Sequence, residues 1–213
     1  MTLRVVIADD EDLTRTGLRI IIDSEPGLTV VGEAADGAGA LTATRELRPD
    51  VVLMDVRMPA VDGVQTVRRL LSLPGPPKII VITTFGNDDL VYEALRAGVS
   101  GFLLRRTHPD EFIRAIRTVT TGDCLLFPSA VRTLAALHGD GRTVPGIGRL
   151  TEREGDVLRL MARGLSNDEI ATELAVGMDT VRTHVSDVLA KLGARERPQA
   201  VIAAYESGFV SPR

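Results

Sequence analysis

The sequence predicts two folded units in tandem: an α/β domain on a doubly wound, five-stranded parallel sheet, and then a small all-α domain. Three observations predict this. Short Val/Ile/Leu runs alternate with amphipathic segments over residues 3–121, the pattern of strands joined by helical crossovers. The runs do not alternate with polar residues, which suits strands covered on both faces. After residue 150 one helix-start signal follows another with no strand between them.

The strands are read as LRVVIA (3–8), LTVVGEA (28–34), DVVLMD (50–55), KIIVIT (78–83) and SGFLL (100–104). The segments between and after them, 12–24, 37–48, 63–72, 88–98 and 109–121, carry apolar residues at helical spacing. Right-handed crossovers then place helices on both sheet faces. From 122 to 149 the pattern weakens, and the glycine-rich HGDGRTVPGIGR (138–149) reads as a linker, with one helix in PSAVRTLAAL (128–137). TERE (151–154) and SNDE (166–169) both fit the capping box, in which a hydroxyl and a carboxylate satisfy the free N–H groups of a helix start. Four helices are expected there, near 152–163, 167–174, 178–192 and 198–207. The expected domains are therefore 1–121 and 150–213, with a partly helical linker at 122–149.

Composition excludes several classes. The chain has 213 residues and is 44% hydrophobic, enough for a core in each unit. Nowhere does an uncharged apolar run approach the ~18 residues of a membrane span, and the run in MTLRVVIADD is too short for a secretory signal, so the expected location is the cytoplasm with no membrane partner. Cys124 is the single cysteine, which excludes an internal disulfide or a cysteine-based metal site within one chain. A net charge of −4 leaves only local patches for nucleic acid.

Asp55 closes the apolar run VVLM. In open α/β sheets ligand sites lie beyond the carboxyl ends of the strands, and the first strand also ends in acids, Asp9 and Asp10. Neighbouring strands 1 and 3 bring three carboxylates to one edge. Two such charges at ~4 Å repel by about 4 kcal/mol at an effective dielectric of ~20, so a cation belongs among them. Hard oxygen ligands suit Mg²⁺. Asp12 is expected to cap the following helix, and Asp62-Gly63 to form a turn.

DD (9–10), LMDVRMP (53–59), DG (62–63), TT (83–84) and GFLL (101–104), at these spacings, resemble the receiver domain of two-component response regulators, which has a flavodoxin-like fold. The resemblance implies that Asp55 accepts a phosphoryl group from a sensor histidine kinase, and that Asp10, Asp55 and the Arg57 backbone carbonyl ligate Mg²⁺, with Asp9 helping through water. It also makes Thr83 a phosphoryl-binding hydroxyl and Phe102 the switch aromatic. Where the family usually has a lysine reaching the phosphoryl oxygens, this chain has Arg105. Strand alternation puts Arg105 on the side of Leu103 and points Arg106 away, so Arg105 is the substitute.

In TVRTHVSDVLAKL (180–192), Val181, Val185, Val188, Leu189 and Leu192 form one face. The other face shows Thr180, Arg182, Thr183, Ser186 and Lys191, short or cationic groups suited to phosphates and base edges. LTERE, GLSNDEIATELAV, DTVRTHVSDVLAKLGARER and QAVIAAYESG are similar to the LuxR-type helix-turn-helix of NarL/FixJ-like regulators. That resemblance implies that 178–192 is the recognition helix in the major groove of promoter DNA. Gly177 stands where a serine cap is usual, and Gly155 interrupts the first helix. Acids outnumber bases after residue 150, so single-copy attraction to DNA is weak and a homodimer on two half-sites is expected. Val201, Ile202 and Tyr205 offer the dimer seam.

Two enzyme-like or cofactor-binding readings fail on residues. A phosphatase of the dehalogenase-like type wants an acid two positions after the nucleophile, where Arg57 stands, and DDED after strand 1 would repel a cofactor phosphate. The expectation is a phosphorylation-controlled transcription regulator, not an enzyme. The alternative is a regulator of the same build that binds DNA independently of phosphorylation.

Overall fold

The computed structural model describes residues 2–58, 63–84, 88–138 and 143–211. It divides into two compact units, Met1–Thr120 and Thr121–Arg213.

In the first unit, β1 (Leu3–Ala8), β2 (Leu28–Ala34), β3 (Val51–Asp55), β4 (Lys78–Thr83) and β5 (Gly101–Leu104) form one parallel sheet in the order β2-β1-β3-β4-β5. The helices are α1 (Asp12–Asp23), α2 (Gly37–Leu47), α3 (Gly63–Leu71), α4 (Asp88–Ala97) and α5 (Pro109–Thr121). α2, α3 and α4 pack in succession along one face. On the other, Arg117 of α5 reaches Glu25 and the Pro26 carbonyl just past α1. Val5, Val6, Ile7, Val52, Leu53, Ile80 and Val81 are fully buried, because a strand between two helical layers has no wet face.

The register decides what meets at the sheet edge. Ala8 pairs with Met54 and Asp55 with Ile82, so the residues that follow β1 and end β3 are level. Thr83 pairs with Leu104, and its carbonyl accepts the Arg105 N–H at 2.8 Å, which brings Arg105 to the same edge. Order reverses between β1 and β3, which makes this edge the switch point of the sheet. Gly63 begins α3 against the chain that leaves β3. A Cβ there would lie 2.2 Å from the Val56 carbonyl oxygen, so only glycine allows the approach. Asp62, the other half of the expected turn, lies outside the described residues.

The second unit contains α6 (Pro128–His138), a short 3-10 turn (Ile147–Arg149), α7 (Glu152–Arg163), α8 (Asn167–Glu173), α9 (Met178–Leu192) and α10 (Arg197–Glu206). Both capping boxes are formed: Thr151 with Glu154, and Ser166 with Glu169. Gly177 caps α9 without a side chain, and Gly155 is accommodated inside α7 beside Phe209. The helix expected within the linker belongs to this unit's core. α10 packs on α6, α7 and α9, and Val131, Leu134 and Ala135 of α6 are buried. The linker's physical tie is Asp123, whose carbonyl accepts the Asn167 N–H and whose carboxylate accepts the Asn167 side chain at 2.8 Å.

Candidate functional site

At the carboxyl edge of the sheet two aspartates use their oxygens alike. Asp9 Oδ1 accepts the N–H of Glu11 at 2.9 Å, and Asp55 Oδ1 accepts the N–H of Arg57 at 2.8 Å. Each carboxylate thus fixes the loop that follows its own strand, two residues on. That leaves the Oδ2 atoms, and both meet one cation. Arg105 Nη2 donates to Asp9 Oδ2 at 2.9 Å and to Asp55 Oδ2 in a short ion pair. Asp9 is fully buried, Asp55 nearly so, and Asp10 is exposed beside them. Ligand oxygens of Asp9, Asp10 and Asp55 lie within 4.8 Å of one another.

The other half of the guanidinium faces α1. Arg105 Nη1 donates to Glu11 Oε2 at 2.6 Å and to Thr14 Oγ1 at 3.2 Å, while Thr14 Oγ1 donates to Glu11 at 2.9 Å. Burial pushes the Asp9 carboxyl up from the usual range, opposed by the Glu11 N–H and by Arg105. Glu11 is held below its usual range by the Thr14 hydroxyl and Arg105. Burial works against the Arg105 charge, but Asp55, Asp9 and Glu11 together raise its pKa further.

Most of the remaining expected residues lie at the ends of β4 and β5. Thr83 is buried at the end of β4, with its hydroxyl on the Thr84 carbonyl at 3.1 Å. Phe102 is buried on β5, and Arg106 is exposed. The Arg57 guanidinium donates to Thr84 Oγ1 at 2.9 Å, a pairing the sequence did not suggest. Asp12 is not the cap of α1: Glu11 takes that position without a side-chain bond, and Asp12 pairs with Arg15 in the first turn. Glu11 and Thr14 were also missed as site residues. They look like ordinary first-turn residues until β5 delivers Arg105 beside them.

In the second unit α9 exposes Thr180, Arg182, Thr183 and Ser186, while Val181, Val185 and Val188 face the core. Arg182 is 55% exposed, with Asp179 at 3.5 Å and Asp123 at 3.8 Å. Thr183 donates to the Asp179 carbonyl. Two expectations need correction. Lys191 does not extend from the exposed face: its Nζ bonds both carboxylate oxygens of Glu154, at 2.7 and 2.6 Å, and ties the end of α9 to the start of α7. Val201, Ile202 and Tyr205 are not an open seam either. They are buried, because α10 is enclosed by α6, α7 and α9, and the Tyr205 hydroxyl reaches the Ala162 carbonyl.

Among the described residues no helix is long and apolar enough to cross a membrane. Residues 5–117 match the response regulator receiver domain, and residues 148–204 match the bacterial regulatory proteins of the luxR family. The chain is 38% identical to the transcriptional regulatory protein YxjL of Bacillus subtilis, covering 98% of this chain and 97% of that one. It is 36% identical to the transcriptional regulatory protein LiaR of the same organism, over 98% of this chain and all of LiaR. Among solved structures it is similar to the response regulator ChrA of a heme-sensing two-component system, with 31% identity, a TM-score of 0.54, and 98% of this chain and 99% of that chain covered. A strand-end aspartate cluster in a 2-1-3-4-5 parallel sheet, followed by a helix-turn-helix unit, places the chain in the two-component response regulators, as a transcription factor with a receiver aspartate site and a LuxR-type DNA-binding domain.

Proposed function

We propose that a sensor histidine kinase phosphorylates Asp55 and thereby controls binding of this protein, as a homodimer in the cytoplasm, to promoter DNA through the exposed face of α9. The observation that carries the reading is the shared geometry of Asp9 and Asp55, each holding its own loop with Oδ1 and turning Oδ2 toward one guanidinium. An Asp55 carboxylate oxygen attacks the phosphorus of a phosphohistidine. The new O–P bond forms as the N–P bond breaks, the imidazole leaves with a proton from solvent, and an acyl phosphate remains on Asp55.

The donor set fits a hard divalent cation, since carboxylate oxygens of three residues converge within 4.8 Å. Asp10, Asp55 and the Arg57 carbonyl would hold Mg²⁺, with Asp9 helping through water, and the ion would supply charge neutralisation at the transferring oxygens. Arg105 and the Thr83 hydroxyl meet those oxygens from the β4–β5 side. As Thr83 turns from the Thr84 carbonyl to the phosphoryl group, space opens beside Phe102, which relays the change.

A second reading, DNA binding independent of phosphorylation, is favoured by one observation: Arg105 already neutralises both buried carboxylates. Labelling of the full chain by a small phosphodonor with and without Mg²⁺, followed by DNA binding of both forms, separates the two. Mg²⁺-dependent labelling with tighter DNA binding supports the first. An unlabelled chain that binds DNA equally well supports the second.

A further inference from the structure

Arg105 is placed where an incoming cation and phosphoryl group must go. Its Nη2 bridges the Oδ2 atoms of two of the three carboxylates in the metal reading, and a lysine could not at the same time hold a second partner in a fixed plane. The fork of the guanidinium has that second partner. Nη1 lies on Glu11 Oε2 and Thr14 Oγ1, and the Thr14 hydroxyl in turn donates to Glu11. Glu11 stands at the rim, with its side chain 61% exposed, whereas Asp9 is fully enclosed. The arginine therefore has one buried and one wet set of partners, separated by the width of its own fork.

We infer that Glu11 and Thr14 form a seat on which Arg105 pivots, keeping the guanidinium when a divalent cation enters the carboxylate cluster of Asp9, Asp10 and Asp55. Glu11 and Thr14 are positioning residues: they touch neither phosphorus nor metal, and act through Arg105. The physical reason is charge. A guanidinium and a divalent cation among the same carboxylates repel strongly, and an arginine expelled without a partner would leave its charge half-buried and unpaired. Glu11 already bonds Nη1 and, once Nη2 is released, can take that arm of the fork as well, in a charge-assisted bond in a place that water reaches. The seat thus makes Mg²⁺ entry easier in a chain whose Arg105 otherwise blocks it.

This inference rests on the metal reading above, and its test separates the two. Mg²⁺ affinity is measured by isothermal titration of the full chain, alongside the Mg²⁺ concentration giving half-maximal labelling by a small phosphodonor. Glu11→Gln should weaken Mg²⁺ binding about fivefold and Thr14→Val about twofold, the size of a partly exposed charge-assisted bond and a neutral one. Arg105→Ala should tighten Mg²⁺ binding about tenfold, since a competing cation is gone. The decisive measurement is the double variant. In the Arg105→Ala background, Glu11→Gln should change Mg²⁺ affinity by less than about twofold, because the seat has nothing left to hold. An equal effect of Glu11→Gln in both backgrounds would mean that Glu11 acts on the metal directly as a charge, and overturns the seat. Absence of Mg²⁺ binding in every variant overturns the metal reading itself, and the seat with it.

Discussion

Replacing Lys191 by methionine is expected to harm folding of the second unit more than contact with DNA. Lys191 Nζ lies 2.7 and 2.6 Å from the two oxygens of Glu154. The Glu154 side chain is 6% exposed and that of Lys191 29%. Removing one member of a fully buried pair costs about 3–5 kcal/mol, whereas exposed pairs contribute about 0.2–1 kcal/mol. With one end wet and the other enclosed, Lys191→Met should cost about 2 kcal/mol, because Glu154 keeps only its cap bonds to Thr151. For a unit of this size that lowers the melting temperature by about 10 °C. The assay is calorimetry of the full chain across a pH series. The Lys191 bond, and then the Thr151 N–H, hold the Glu154 carboxyl below its usual range. A depressed carboxylate contributes stability fully above the unfolded value of about 4.3 and loses it as pH falls through the lower folded value. The gap between wild type and Lys191→Met should therefore be constant near neutrality and close under acid. An unchanged melting temperature, with weaker DNA binding and a salt slope reduced by about 1, would refute this reasoning and return Lys191 to the phosphate-contacting face.

Asp55→Asn should abolish labelling by a phosphodonor while melting within about 1 kcal/mol of wild type, because the amide relieves the carboxylate cluster and Arg105 keeps Asp9 and Glu11; wild-type labelling stoichiometry in this variant would move the acceptor elsewhere. Arg182→Ala should lower affinity for all DNA sequences alike and reduce the salt slope by about 1, whereas Ser186→Ala should change sequence preference, as competition binding at several salt concentrations would reveal. Gly63→Ala should destabilise the first unit by about 3 kcal/mol in urea and impair labelling, since its Cβ would meet the Val56 carbonyl oxygen at 2.2 Å; a wild-type midpoint would show that the approach of Gly63 to Val56 yields.

What was legible in the sequence follows a local rule. The strand-end aspartates, both capping boxes and the division of α9 into valine and polar faces depend on periodicity or on spacings of a few residues, so they could be read directly. Pairings between distant segments could not. Glu154 is visible as a cap, but its bond to Lys191 spans 37 positions, and that bond removes a cation from the surface the helix pattern assigned it to. Glu11 is in plain view within DDED, yet its role depends on Arg105, 94 positions away. α10 misled for a different reason: its apolar residues mark a face that needs cover without saying which helices supply it, and α6, α7 and α9 do so within the same chain. The buried Arg197, which bonds the Leu165 carbonyl and Asn167 and whose pKa burial holds down to about 10, likewise reads as a surface cation in sequence.

The enclosure of α10 sets a threshold on self-association. A second copy that used Val201, Ile202 and Tyr205 would first have to displace the helices that enclose α10, which are α6, α7 and α9, so the apparent affinity is the intrinsic one multiplied by the fraction of chains in which that face stands open. With a face open about one per cent of the time, the loss is about a hundredfold per protomer. A symmetric pair that used this face would incur it twice, about 5.5 kcal/mol in all. Displacement of the enclosing helices, the eleven-residue α6 among them, would convert a buried core into an adhesive surface.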